Sequence, residues 1–383
     1  MNFSFTEEQL MLRDLARKFA ENEMRPLLRE YENQRHTPES LVKKLADIGF
    51  LGAHLPKEYG GSALDYLSAA IIWEELSKVS WTMALGTLGH AVLSGTILMK
   101  VATSEQKEQY LAPLCRGELM FATATVEPNA GSDPGAIECK AILKGDYWLL
   151  NGTKNFVTGG GLADYVLVLA QTDRKLGVKG MVLLLVDSKT AGISLEDVRL
   201  VGGRTSNIVN LAFSDCRVPA GNLIGKVGRG LHGAFHGIDT ARVFIAAGAL
   251  GMAQGCLDAS IKYAQERTQF GKAIGGFQLV QEVIARMAAE IEPLRWQLYY
   301  AADLKDQGKP HGKELSSAKW LASELAVKAA AEAIRLHGAY GCTDEYDLEH
   351  HYRDAVLSTI LGGTTEMHKL MIGRELLGIN AIN

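Results

Sequence analysis

The chain has 383 residues, 47% hydrophobic and 22% charged, with a mean hydropathy of 0.00: an ordinary globular composition, too long for one small core. A net charge of −4 gives no basic footprint, which argues against a nucleic-acid partner. No apolar run reads as long enough to span a membrane, and the start Met1–Phe5 lacks the pattern of a signal peptide. The five scattered cysteines never pair as CxxC, so they read as reduced thiols of a cytoplasmic protein, with neither a disulfide frame nor a metal site.

Residues 1–120 read as helices. Thr6 with Gln9 forms a capping-box pattern, followed by Leu12, Leu15, Ala16 and Phe19 on one face. Thr37-Pro38-Glu39 predicts a helix with proline at its first position and a stop at Gly49, and Thr103 with Gln106 repeats the capping box. Residues 121–227 change character. Short apolar runs at 147–150, 165–169, 181–186 and 208–213 predict strands, and Asn151-Gly152 is a hairpin signal. A β-sandwich or barrel-like domain is expected here. From 228 the helical period returns and holds to 383. Ala318, Leu321, Leu325, Ala329 and Ala333 line a face suited to close helix packing, and Gly338 to Gly341 end that helix. The expected fold class is α+β: an N-terminal helical domain, a central β domain and a C-terminal four-helix bundle.

Several segments, in this order, carry a family resemblance. Val126-Glu127-Pro128-Asn129-Ala130-Gly131-Ser132-Asp133 is followed by Gly152-Thr153-Lys154-Asn155-Phe156-Val157-Thr158 and by Phe213 to Pro219. Arg267-Thr268-Gln269-Phe270-Gly271-Lys272 with Gln278, Arg353-Asp354-Ala355, and Gly363-Thr364-Thr365-Glu366 complete the set. Together they resemble the acyl-CoA dehydrogenase family along nearly the whole chain. The resemblance implies FAD held between the β domain and the bundle, an acyl-CoA or acyl-carrier-protein substrate, and an electron-transfer flavoprotein as default acceptor. It also implies a homodimer or homotetramer in which a neighbouring subunit completes each site.

The residues suit such a cofactor. The flavin ring needs an apolar wall and polar partners at its edge; Thr125 and Val126 offer backbone groups, Phe156 a face, and Thr158 a hydroxyl near the hydride-accepting atom. Phe156 stands where relatives carry Trp, and Val126 where they carry Thr. Ser132 sits among small neighbours that let the chain approach a pyrophosphate. Arg267 brings a fixed charge and a fork geometry, Phe270 an aromatic face, and Gln278 an amide. Arg335 replaces a Gln common in relatives. Thr364 and Glu366 match flavin-contacting positions but also read as an ordinary helix start. Asp239 and Arg242 match positions that meet the pantetheine and nucleotide of coenzyme A, with exposed helix charge as the equal alternative.

The α-proton base is where the chain departs from the family. Most relatives place Glu immediately before the G-T-x-E motif, where this chain has Gly362; a minority place it before an Arg on an early bundle helix, where this chain has Ala241. Neither residue accepts a proton. A relocated base (His90, Glu74 or Asp239), a different reaction such as elimination, cyclisation, reduction or oxygenation, and a quiet FAD-binding partner subunit are the three readings that follow.

Overall fold

The computed structural model describes residues 4–381, so the first three residues of the Met1–Phe5 stretch lie outside it. The helical N-terminal part comprises α1 (Glu7–Phe19), α2 (Leu28–Gln34), α3 (Glu39–Asp47), α4 (Tyr66–His90), α5 (Thr96–Val101) and α6 (Ser104–Cys115). Both capping boxes form: the Thr6 and Thr103 hydroxyls accept from the backbone N–H groups of Gln9 and Gln106, whose side chains return the bond. Pro38 is the residue before the first turn of α3 rather than its first helical residue, and Gly49 (φ 77°) follows the end of that helix. A π-helical turn, Ala91–Gly95, separates α4 from α5.

The strands are β1 (Phe121–Ala124), β2 (Lys140–Lys144), β3 (Tyr147–Val157), β4 (Tyr165–Gln171), β5 (Met181–Asp187), β6 (Ile193–Asp197) and β7 (Val209–Pro219). They form one curled sheet ordered β1-β4-β2-β3-β7-β6, with β5 on β4. The continuous apolar runs of β4 and β5 have a physical reason: both faces are covered. Val166, Val168, Leu184 and Val186 belong to the core inside the curl, while Leu167, Leu169, Leu183 and Leu185 join the main core shared with the helices. Asn151-Gly152 is not a hairpin. It lies inside β3, at a register shift opposite β7, and Gly152 takes φ 140° with Cys139 pressed against it. The turn between β2 and β3 is Gly145-Asp146 instead.

The C-terminal part holds α7 (Gly230–Glu266), a small hairpin of β8 (Thr268–Gln269) and β9 (Lys272–Ala273), α8 (Gln278–Asp306), α9 (Gly312–His337), α10 (Leu348–Ser358) and α11 (Thr365–Leu377). Helix α9 packs against α7, α8, α10 and α11, and its Ala318, Leu325, Ala329 and Ala333 are buried. Helix α4 packs along α7 at glycines: Gly248 lies against Trp81, Gly251 against the Glu74 carbonyl and Ser77, and Gly255 against the Lys78 carbonyl. These two partners correct the expectation about apolar length. Tyr66–Val101 and Gly230–Glu266 are long and apolar enough to cross a membrane, yet 83% and 72% of their most apolar windows are buried inside the protein. All five cysteines are free, and only Cys342 among them is exposed.

Candidate functional site

The two stretches expected to face the flavin are held side by side by a buried ion pair. Lys154 on β3 is fully buried and donates to Glu127 at 2.6 Å and, more weakly, to the Thr125 carbonyl at 3.4 Å. The Glu127 carboxylate also accepts from the N–H groups of Glu138 and Cys139. Burial pulls the Lys154 amine below its usual range, so the pair persists through its geometry and its added hydrogen bonds. The Asn155 N–H donates to the Val126 carbonyl, which fixes β3 against the exit of β1. Residues 127–130 then close a tight turn, leaving Gly131 with open space around it and Ser132 exposed.

Beyond Lys154 the register of β3 shifts again, and Phe156 takes φ 56°, a left-handed conformation costly for a bulky residue. Its ring is 52% exposed. A strained backbone that presents an aromatic face to an opening fits a flat apolar ligand better than it fits ordinary strand packing. Thr158 is half-buried beside it, and the next residue, Gly159, donates to the Ser206 carbonyl. That turn is tied to the helices: Thr82 bonds both Thr205 and Asp354, and Asp354 also accepts from Gly203 N–H. The Arg353-Asp354-Ala355 segment therefore joins the β domain to α4 and α10.

The remaining sequence-predicted residues fall into two groups. Arg267 ends α7 and lies 5.9 Å from the Tyr340 ring centre. Phe270 and Gly271 form the two-residue turn of the β8–β9 hairpin, both with positive φ. Phe270 is 94% exposed. Gln278 opens α8 and is exposed, and Arg335 is exposed and paired with Glu332 at 3.4 Å. Among the described residues, no hydrogen bond or ring contact joins Arg267, Phe270, Gln278 or Arg335 to Phe156. Thr364 and Glu366 open α11; the Thr364 hydroxyl accepts from the Met367 N–H, so the capping role is realised.

Gly362 and Arg242 meet. Arg242 Nε donates to the Gly362 carbonyl at 2.9 Å, and a Cβ on Gly362 would stand 3.6 Å from Arg242 Cγ and 2.7 Å from Ile245 Cδ1. Ala241 precedes that arginine on α7, and neither Gly362 nor Ala241 offers a side-chain acid. Two basic residues that the sequence reading missed stand behind the turn. Lys319, fully buried on α9, donates to the Gly363 carbonyl at 2.8 Å, and burial followed by repulsion from Arg242 pushes its amine down to about 7. His368 is fully buried with neither ring nitrogen bonded, and burial pushes it down to about 3. The legible signal was a lysine set in the apolar stripe of Leu315, Ala318, Ala322 and Leu325.

Of the three replacement-base candidates, two are engaged elsewhere. Glu74 accepts from Arg295 and from the Tyr299 hydroxyl, at 2.8 and 2.7 Å. Asp239 is paired with Lys305 and with His311; burial works against its ionisation, but those bonds outweigh it and hold the carboxyl well below its usual range. His90 is 6% exposed with both ring nitrogens unpartnered, and burial pushes it down to about 4, so it is neutral near pH 7. It sits one turn from Gly86, which abuts the Thr205 carbonyl, and one turn from Ser94, which bonds Thr123 on β1. Its helix face thus looks toward the β domain.

Sequence profiles of one family cover the chain: acyl-CoA dehydrogenase N-terminal domain over 6–118, middle domain over 122–216 and C-terminal domain over 228–377. The chain belongs to the acyl-CoA dehydrogenase family. It is 42% identical over 380 residues to an acryloyl-CoA reductase (NADH) of Anaerotignum propionicum, covering 98% of this chain and 96% of that one. It is 39% identical to the caffeyl-CoA reductase–Etf complex subunit CarC of Acetobacterium woodii, covering 97% and 99%. The solved butyryl-CoA dehydrogenase of Megasphaera elsdenii superposes with a TM-score of 0.95 at 34% identity, over 98% and 100% of the two chains. The protein is an FAD-dependent oxidoreductase acting on the CH–CH group of an acyl thioester. FAD fits the residues present: the exposed Phe156 ring, the backbone at Thr125 and Val126, and the open chain at Gly131-Ser132.

Proposed function

We propose that the chain interconverts saturated and α,β-unsaturated short acyl-CoA thioesters with no protein carboxylate at the α-carbon, and that it works chiefly as a reductase. The observation that carries this reading is that, among the described residues, Arg242 bonds the Gly362 carbonyl and no carboxylate. Removing an α-proton from a thioester needs a base held in position. Protonating the enolate left by hydride addition asks less, because water or a neutral group can give the proton when reduced flavin is in steady supply. FAD, when bound, supplies the hydride chemistry. Thr125, Val126, Phe156 and Thr158 would hold its ring, and Ser132 its phosphates. Arg267, Phe270 and Gln278 would reach the FAD of a neighbouring copy.

A homodimer or homotetramer is part of the proposal. Phe270 at 94% and Leu279 at 82% exposure form an apolar projection that a free monomer gains nothing by displaying. Phe270 also bears backbone strain there. An electron-transfer flavoprotein is the proposed redox partner, and the five free thiols suit a reducing cytoplasm. Chemically reduced holo-protein, mixed anaerobically with crotonyl-CoA, should regain oxidised-flavin absorbance. Oxidised protein with butyryl-CoA should bleach slowly. Rapid bleaching with butyryl-CoA, or no reoxidation by any enoyl thioester on CoA or on a carrier protein, would defeat the proposal.

A further inference from the structure

We infer that the acyl group taken by this chain carries its own carboxylate, on or next to the α-carbon, and that the free terminal nitrogens of Arg242 bind it beside the Gly362–Gly363 turn. The inference rests on the acyl-thioester reading above and adds the class of acyl group.

Arg242 is half-buried, and only its Nε is used: it donates to the Gly362 carbonyl. Among the described residues its two terminal nitrogens bond nothing, and they are not sealed from solvent. They flank the two glycines, since a Cβ on Gly363 would lie 3.7 Å from Arg242 Nη2. A guanidinium fork with two free nitrogens matches a carboxylate in geometry and charge.

The surroundings do not neutralise it. Asp239, one turn earlier on α7, is committed to Lys305 and His311. Glu366 is exposed at the start of α11. Lys319 lies behind the glycine turn with its amine committed to the Gly363 carbonyl, and His368 offers two unpartnered nitrogens, one of them 3.3 Å from where a Gly363 Cβ would stand. No carboxylate pairs with Arg242 among the described residues, so the local field favours a ligand that supplies one. Gly362 (φ 69°) and Gly363 (φ 112°) present bare backbone to the guanidinium, because neither conformation favours a side chain.

The test is a titration of oxidised holo-protein with butyryl-CoA, methylmalonyl-CoA and succinyl-CoA, followed by perturbation of the flavin spectrum and by calorimetry. A carboxylated thioester should bind on the order of tenfold or more tighter than butyryl-CoA, the scale of a charge-assisted hydrogen bond. Arg242→Gln should remove that preference, and Arg242→Lys should keep part of it. Because Arg242 also anchors the turn, a second variant guards against misfolding: Gly362→Glu leaves Arg242 in place, sets a carboxylate of the chain beside it and should equally abolish the preference. Equal affinities in the natural protein, or a preference that survives both Arg242→Gln and Gly362→Glu with FAD retained, would overturn the subsite and leave the thioester reading standing. Failure of all three thioesters to bind would overturn both.

Discussion

Restoring the family's base at Gly362 should convert this protein toward ordinary dehydrogenation, and the structure sets the cost. Gly362 holds φ 69°, and an L-residue in the left-handed region costs roughly 1–2 kcal/mol. The new Cβ would meet Ile245 Cδ1 at 2.7 Å, the end of a side chain that can turn aside for about 0.5–1.5 kcal/mol. Together these come to about 1.5–3.5 kcal/mol against the ~5–15 kcal/mol by which domains are usually stable, so Gly362→Glu should fold. Adding Ile245→Val deletes the clashing methyl and should recover part of the loss. Arg242 beside the new carboxylate favours its ionised, proton-accepting form. A positioned base is worth ~10²–10⁴ in rate. The assay is anaerobic stopped-flow bleaching of the flavin by butyryl-CoA, after FAD content is matched between variants. Gly362→Glu/Ile245→Val should bleach at least tenfold faster than the natural protein. Ala241→Glu, on a regular helix without backbone strain, is the comparison. The reasoning fails if the double variant retains FAD and binds butyryl-CoA yet, like Ala241→Glu, bleaches no faster than the natural chain.

Arg267→Ala should lower FAD content and weaken assembly together while leaving the helical circular-dichroism signal near its natural level; a monomer that holds FAD tightly would contradict the shared site. Lys154→Met should destabilise by about 3 kcal/mol, the low end for a broken buried pair, because Glu127 keeps two backbone donors; denaturant midpoints measure it, and FAD retention should fall in parallel. Lys319 carries a signed pH dependence. Its amine drops from 10.5 to about 7 on folding, so the unfolded chain binds the extra proton between those values and stability should rise with pH across that window. At roughly 1.36 kcal/mol per unit the gap is worth several kcal/mol, and Lys319→Met should flatten the rise; an unchanged pH profile would show that the buried amine is not strained. His90→Gln should slow any α-hydrogen exchange of butyryl-CoA in D₂O if His90 passes the proton, and should leave it unaltered if only water does.

The sequence alone settled the fold and the family chemistry. Capping boxes at Thr6 and Thr103, apolar strand runs, and the ordered motifs from Val126 to Glu366 are local signals, carried by neighbours in the chain. Asn151-Gly152 misled because a hairpin signal is also local, and pairing of β3 with β7 over eleven residues prevailed, absorbing the glycine as a bulge. That Gly362 and Ala241 carry no acid was legible as well, because it is a matter of residue type. Only the tertiary structure placed Gly362 beside Arg242, tied Glu74 and Asp239 into ion pairs, and left His90 without a partner. Lys319 and His368 gather at Gly363 from α9 and α11, 44 residues apart for the Lys319–Gly363 bond. Charge, burial and hydrogen-bond partners depend on what lies across space, and periodicity in one segment carries no information about the segment that will cover it.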